Sequence, residues 1–139
     1  MTVTALIVAA GKGERLGSGL PKQYRALAGK PVLRRAVEAL IGHPRIDAVR
    51  VVIGVGQEEL ASAALAGLDV GSLIIGGAER AESVSNGLKS LNGGIVLVHD
   101  AARPFCPPEV IDRLLGALEL ADGAVPVLPV ADTLAKGDS

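Results

Sequence analysis

The chain has 139 residues, 49% of them hydrophobic and 21% charged, with a formal net charge of −1; this fits one folded domain with a real core and excludes a disordered chain. Near-neutrality removes the bulk field that would draw the protein to nucleic acid or an acidic membrane, and an aromatic content of 1% leaves no stacking platform for single-stranded nucleic acid. The single cysteine, Cys106, cannot form an internal disulfide, no apolar run reaches membrane-spanning length and no basic leader precedes the first apolar segment, so the expected location is cytoplasmic.

With so few aromatics the core must be built from Val, Leu, Ile and Ala, as in parallel strands covered on both faces. Residues 2–9 are nearly all apolar and predict the first strand, followed by a glycine-rich, cationic loop. Pro31 suits a first helical position, and Val32, Leu33, Ala36, Val37, Leu40 and Ile41 then recur at helical spacing, with Arg34, Arg35 and Glu38 opposite, until Gly42-His43-Pro44 stops the helix. Residues 48–55 predict a second strand, 57–66 a short Ala-rich helix and 71–75 a short third strand running into Gly76-Gly77. Residues 79–91 predict a helix that buries Ala81, Val84, Leu88 and Leu91, and residues 94–98 a fourth strand. Pro108 opens a helix that continues to about residue 120, and residues 124–130 read as a fifth strand interrupted by Pro126 and Pro129, which favours an edge or a bulge.

Strands alternating with helices imply an α/β fold in three layers, with a mostly parallel, doubly wound, Rossmann-like sheet and right-handed crossovers. Ligands of such sheets bind beyond the carboxyl ends of the strands, where the winding reverses, so the loops after the first, third and fourth strands should share one rim.

Each of those loops carries polar chemistry. The first reads Ala9-Ala10-Gly11-Lys12-Gly13-Glu14-Arg15-Leu16-Gly17, with Pro21-Lys22-Gln23-Tyr24 close behind. Its glycines let backbone N–H groups approach a ligand, and Lys12, Arg15 and Lys22 cluster there, which points to a chain of phosphates rather than a tight turn with solvated charges. It lacks the Gly-Lys-Ser/Thr of a P-loop, and Leu16 stands where a dinucleotide fingerprint needs its third glycine. In the loop after the third strand, Gly76-Gly77-Ala78-Glu79-Arg80-Ala81-Glu82-Ser83-Val84, Ser83 could bond a base edge, but taken alone the segment reads better as a glycine turn, a first-turn acid and an ordinary helical serine. In the loop after the fourth strand, His99-Asp100-Ala101-Ala102-Arg103-Pro104, a strand-end Asp can bind Mg²⁺ together with phosphate oxygens and water, and Arg103 can grip a second phosphate; the alternative is an Asp–Arg surface pair. His99 and His43 read as structural, and Cys106 has no partner that would make it a nucleophile or zinc ligand.

Together these segments resemble the 2-C-methyl-D-erythritol 4-phosphate cytidylyltransferase family of the non-mevalonate isoprenoid pathway, along the whole chain. The first motif is shared by many sugar nucleotidyltransferases; the His-Asp-Ala-Ala-Arg-Pro run with the Glu-Arg-x-x-Ser-Val run makes the resemblance specific. It implies a nucleotidyltransferase that joins CTP to methylerythritol phosphate and releases pyrophosphate, with Mg²⁺ or another divalent cation as cofactor. It implies that Ala9, Ala10, Gly11 and Gly13 wrap the nucleotide, that Arg15 and Lys22 neutralise charge at the α-phosphorus, and that Gly77, Ala78 and Ser83 read cytosine. It places Asp100 at the metal and the ribose, with Ala101 beside it, and Arg103 and Thr133 at the methylerythritol phosphate. Ala78 and Ala131 depart from the Asp and Arg common at those positions. Family members run well beyond this span, so residues 1–139 read as one cytidylyltransferase domain, truncated at its C-terminus and short enough to be inactive as given. The complete protein is expected to be a homodimer, and in some bacteria this domain is fused to a cyclodiphosphate synthase domain. The competing readings are a nucleotidyltransferase of the sugar-phosphate or molybdenum-cofactor type, a nicotinamide-dependent oxidoreductase, and a non-catalytic nucleotide-binding fragment.

Overall fold

In the computed structural model, residues 2–11, 20–103 and 107–118 are described. The apolar run of the first segment forms strand β1 (Val3–Ala9), whose seven residues are all buried. A one-turn 3-10 helix, Lys22–Tyr24, and a small antiparallel hairpin, β2 (Ala26–Leu27) and β3 (Lys30–Pro31), come next. The hairpin turns at Ala28 and Gly29, whose φ angles are 53° and 88°. A two-residue turn with both centres left-handed matches the twist of paired strands, and Gly29 adopts it freely. Helix α1 (Val32–Ile41) buries Leu33, Ala36, Val37 and Leu40. Strand β4 (Ala48–Ile53), helix α2 (Glu58–Ala64), strand β5 (Ile74–Ile75), helix α3 (Arg80–Lys89) and strand β6 (Ile95–Asp100) complete the first compact unit. The chain divides between Phe105 and Cys106. In the second unit α4 (Pro108–Leu118) starts at the expected proline and has Ile111 and Leu115 as its buried residues.

The main sheet has the order β5-β4-β1-β6 with every pairing parallel. The chain steps outward from β1 to β4 and β5, then returns to the other side of β1 with β6. Right-handed connections in opposite directions place α1 and α3 on opposite faces, so the expected doubly wound α/β sheet is observed. Its core is aliphatic: Leu6, Ile7, Leu33, Leu40, Val51, Val52 and Ile53 are essentially inaccessible.

Some boundaries differ from expectation, for local reasons. β4 stops at Ile53, because the N–H of Gly54 turns to the side chain of Gln57 at 3.0 Å and Val55 is 82% exposed. β6 runs two residues further than expected and takes in His99 and Asp100. Helix α3 corrects the expected buried face: Ala81 and Leu88 are exposed, while Ser83 and Gly87 are buried. A Cβ on Gly87 would lie 2.6 Å from Leu6 Cδ2 and 3.0 Å from Val52 Cγ2, so the helix lies on the sheet too closely for a side chain there. The expected fifth strand, residues 124–130, lies outside the described residues.

Candidate active site

The winding of the sheet reverses between β1 and β6, and two adjoining clefts open at the carboxyl ends of these strands. The larger, about 330 Å³, is lined by Val8, Ala10, Gly11, Ala78, Glu79, Arg80, Ser83 and Asp100. The smaller, about 160 Å³, is lined by Val8, Ala9, Gly11, Lys22, Gln23, Asp100, Ala101 and Ala102. Val8, Gly11 and Asp100 belong to both, so Lys22 and Ser83 face one continuous rim with Asp100 at its middle.

Close backbone approach builds the larger cleft. At Gly76 a Cβ would sit 2.5 Å from both Ala10 Cβ and Ser83 Oγ, so only glycine lets the β5–α3 loop come this near the tip of β1. Ser83 is 1% exposed; its hydroxyl donates to the Glu79 carbonyl and accepts the Gly77 N–H, each at 3.2 Å. That leaves it one lone pair and makes it first a brace of the loop. Ala78, Glu79 and Arg80 bring the amino end of α3 to the cleft, and the N-cap Glu79 side chain makes no capping hydrogen bond there. The N–H groups of its first turn and the positive end of the helix dipole suit a phosphate or the carbonyl of a base.

Around the smaller cleft the charges are spare. Lys22 is exposed on its turn and makes no ion pair among the described residues. Asp100 Oδ1 accepts the Ala102 N–H at 2.9 Å, and among the described residues the other carboxylate oxygen has no partner and is left for the clefts. Ala101 is 1% exposed and its N–H donates to the Val8 carbonyl at 3.1 Å. His99 is tied to the turn after β6, its Nε2 lying 2.7 Å from the Arg103 carbonyl oxygen.

The structure therefore brings together Ala9, Ala10, Gly11, Lys22, Ala78, Ser83, Asp100 and Ala101 from the expected set. Gly77 lines neither cleft, and its N–H is held by Ser83. Arg103 sits in the exposed turn after β6 and lines neither cleft. Gly13, Arg15 and Thr133 lie outside the described residues. The sequence reading gave no role to Gln23, which is 4% exposed and donates through Nε2 to the carbonyls of Ala9 and Gly11, both at 2.8 Å. Its burial is visible only in the structure, and nothing in the residue pattern marks it. Arg80, also unassigned, lines the larger cleft.

No group of three or more His, Cys, Asp or Glu side chains that could cage a metal occurs among the described residues. A single strand-end carboxylate beside a phosphate-sized cleft still fits Mg²⁺, which usually takes one or two protein carboxylates and fills its shell with phosphate oxygens and water. A hollow of about 480 Å³ lies at the other end of the strands, lined by residues such as Asp47, Arg50 and Asp69. Asp47 is committed there to the Val3 N–H at 2.8 Å, and Arg50 Nη2 to the Ser72 carbonyl at 2.9 Å; none of the three marked loops reaches this end. Among the described residues no helix is long and apolar enough to cross a membrane.

The family described as IspD, 2-C-methyl-D-erythritol 4-phosphate cytidylyltransferase, matches residues 3–139. The bifunctional enzyme IspD/IspF of Rhizorhabdus wittichii is 57% identical over 138 residues, 99% of this chain and 36% of that protein. The structure of the bifunctional IspDF from Campylobacter jejuni matches with a TM-score of 0.80 at 26% identity, over 98% of this chain and 36% of that one. The 2-C-methyl-D-erythritol 4-phosphate cytidylyltransferase of Thermus thermophilus matches with a TM-score of 0.75 at 34% identity, over 98% of this chain and 59% of that one. The chain thus spans 36% of the length of its bifunctional relative. A match over nearly every residue, on a fold whose three marked loops converge on one rim, makes this chain a member of the 2-C-methyl-D-erythritol 4-phosphate cytidylyltransferase family.

Proposed function

We propose that the protein carrying this chain transfers CMP from CTP to 2-C-methyl-D-erythritol 4-phosphate and releases pyrophosphate, a step of isoprenoid biosynthesis. The observation that carries this reading is the shared rim: Lys22, Ser83 and Asp100 come from three separate segments and border two clefts joined through Val8, Gly11 and Asp100. The larger cleft, with the amino end of α3 and the braced Gly76–Ser83 loop, takes the nucleotide. The smaller, with Lys22, takes the reacting phosphates.

A phosphate oxygen of methylerythritol phosphate attacks the α-phosphorus of CTP. The new O–P bond forms as the bond from the α-phosphorus to the bridging oxygen breaks, and pyrophosphate leaves with that electron pair. The second pKa of a phosphate monoester lies near ~6, so the attacking oxygen is largely ionised at neutral pH and no protein base is needed. This agrees with His99, which is spent on a backbone contact. Rate acceleration then comes from positioning and charge stabilisation. Lys22 is the described cation placed to meet charge growing on the α-phosphoryl oxygens, with Arg15 as the second cation of the motif. Asp100 would hold Mg²⁺ through its uncommitted oxygen; the bound ion would neutralise phosphate charge.

The test is pyrophosphate release by the full-length protein with methylerythritol phosphate and each of CTP, UTP, GTP and ATP. CTP is expected to be preferred and Mg²⁺ to be required; a preference for UTP, GTP or ATP would defeat the assignment.

A further inference from the structure

Gln23 lies beside Lys22 on the same turn, yet it is buried and its amide is fully used as a donor. A buried polar side chain needs partners, and these partners are informative. The carbonyl of Ile53 faces β5, where it accepts the Gly76 N–H at 2.7 Å. The N–H of Gly54 therefore faces β1, and in a continuing ladder it would meet the carbonyl of Ala9. It goes instead to Gln57 Oε1 at 3.0 Å, while Gln23 Nε2 takes the Ala9 carbonyl. Two glutamines thus end the β1–β4 ladder where the ligand rim begins. Tyr24 joins them, its hydroxyl donating to Gln57 Oε1 at 3.2 Å.

The consequence falls on the nucleotide side. A trans peptide points its N–H opposite to its C=O. Holding the Ala9 carbonyl on Gln23 turns the Ala10 N–H the other way, toward the β6 side. Ala10 lines the larger cleft and Gln23 does not; Gln23 lines the smaller and Ala10 does not.

We propose that Gln23 is a positioning residue for the transfer reaction, fixing the Ala10 amide toward the nucleotide and locking Lys22 to the tip of β1 as one rigid unit. The inference rests on the reading given under Proposed function for the reaction itself. Gln23 acts through Lys22 and the backbone, both its amide hydrogens being spent on the Ala9 and Gly11 carbonyls.

A double-mutant cycle in the full-length protein tests this. Gln23→Met keeps the side-chain length and removes both donors, and it is expected to lower kcat by roughly 10- to 100-fold, as a misplacement near the reacting groups does. In the Lys22→Ala background the same change should cost less than about 3-fold, because residues acting as a unit are not additive. Equal losses in both backgrounds, or a normal kcat in Gln23→Met, would overturn the proposal. Gln23→Glu guards against misfolding of the first variant. Its protonated carboxyl can still donate one of the two bonds, whereas its carboxylate faces two carbonyl oxygens. Its rate relative to wild type should therefore rise as pH falls, and a flat ratio counts against the idea. Wild type is first assayed with all four nucleotides. If another nucleotide works better, the CTP assignment fails while the cycle is run with that nucleotide; if none reacts, both fail.

Discussion

At the residue scale, two neighbours on one turn behave in opposite ways. Lys22 is exposed with an ammonium free of ion pairs among the described residues, while Tyr24 is 6% exposed and hydrogen-bonded to Gln57. The first is placed for chemistry and the second for support, and each makes a prediction. Lys22→Ala is expected to cost ~3 kcal/mol of transition-state stabilisation, roughly a hundredfold in kcat, as loss of one preorganised donor does. Because the side chain is exposed, the melting temperature should stay within about a degree of wild type, since surface changes of this kind stay small. Near-normal turnover would remove Lys22 from the mechanism. Burial pushes the Tyr24 phenol up to about 12, and the nearby charge of Glu58 adds to the rise. The folded state thus holds this proton more tightly than the unfolded chain, whose phenol titrates near 10.0. Its contribution to stability is complete below pH 10.0 and is lost as pH rises through about 12. The difference in phenolate absorbance between wild type and Tyr24→Phe, followed against pH, isolates this group. A midpoint near that of the unfolded chain would contradict the buried bond to Gln57.

At the scale of elements, α3 shows where packing overrides hydrophobic pattern. Its buried stripe is Ser83 and Gly87, a hydroxyl and a hydrogen, because the helix lies directly on Leu6 and Val52. Gly87→Ala sets two effects against each other. Alanine favours a helix interior by about 1 kcal/mol, while forcing a methyl group into a filled core costs about 1–3 kcal/mol. Leu6 and Val52 are both fully buried and have no space to yield, so the clash should win. The expected result is a net loss of about 1 kcal/mol, read as a lower urea midpoint with an unchanged slope; a more stable variant would show that α3 can lift off the sheet. The same helix explains the limits of what the sequence disclosed. Strand β1 was legible because burial on both faces demands a continuous apolar run, β4 because its apolar run is broken only by Arg50, and α1 because its apolar stripe is wide. The face of α3 was not, since close contact through Gly87 leaves no hydrophobic mark. The β2–β3 hairpin escaped notice because Ala28, which carries no turn signal, takes a left-handed φ of 53°. At the site, charged and glycine positions could be recognised by chemistry. Gln23 could not, as its role is set by two carbonyls far back along the chain, whose direction only the end of the ladder determines.

At the scale of the whole molecule, the sheet order decides which end of the strands can bind a nucleotide. The roomier hollow, about 480 Å³, lies at the amino ends, beside Asp47 and Arg50. Volume alone would favour it. Topology favours the smaller pair of clefts, because the winding reverses between β1 and β6 and, at the carboxyl ends of these strands, the loop after β1, the β5–α3 loop and the amino end of α3 converge. Amide hydrogen exchange of the full-length protein with and without CTP and Mg²⁺ separates the two ends. If the rim is the site, nucleotide should slow exchange together at residues 9–11, 22–24, 76–83 and 100–102, although these segments are far apart in the chain. Exchange at residues 46–50 and 67–71 should be unaffected beyond the general rise in stability that binding confers, about 2.7 kcal/mol at a hundred times the dissociation constant. Protection confined to one loop would mean the two clefts do not hold a common ligand. Protection centred on the Asp47–Arg50 end would place the nucleotide at the wrong edge of the sheet for Lys22 to reach its α-phosphorus, and the proposed chemistry would fall with it.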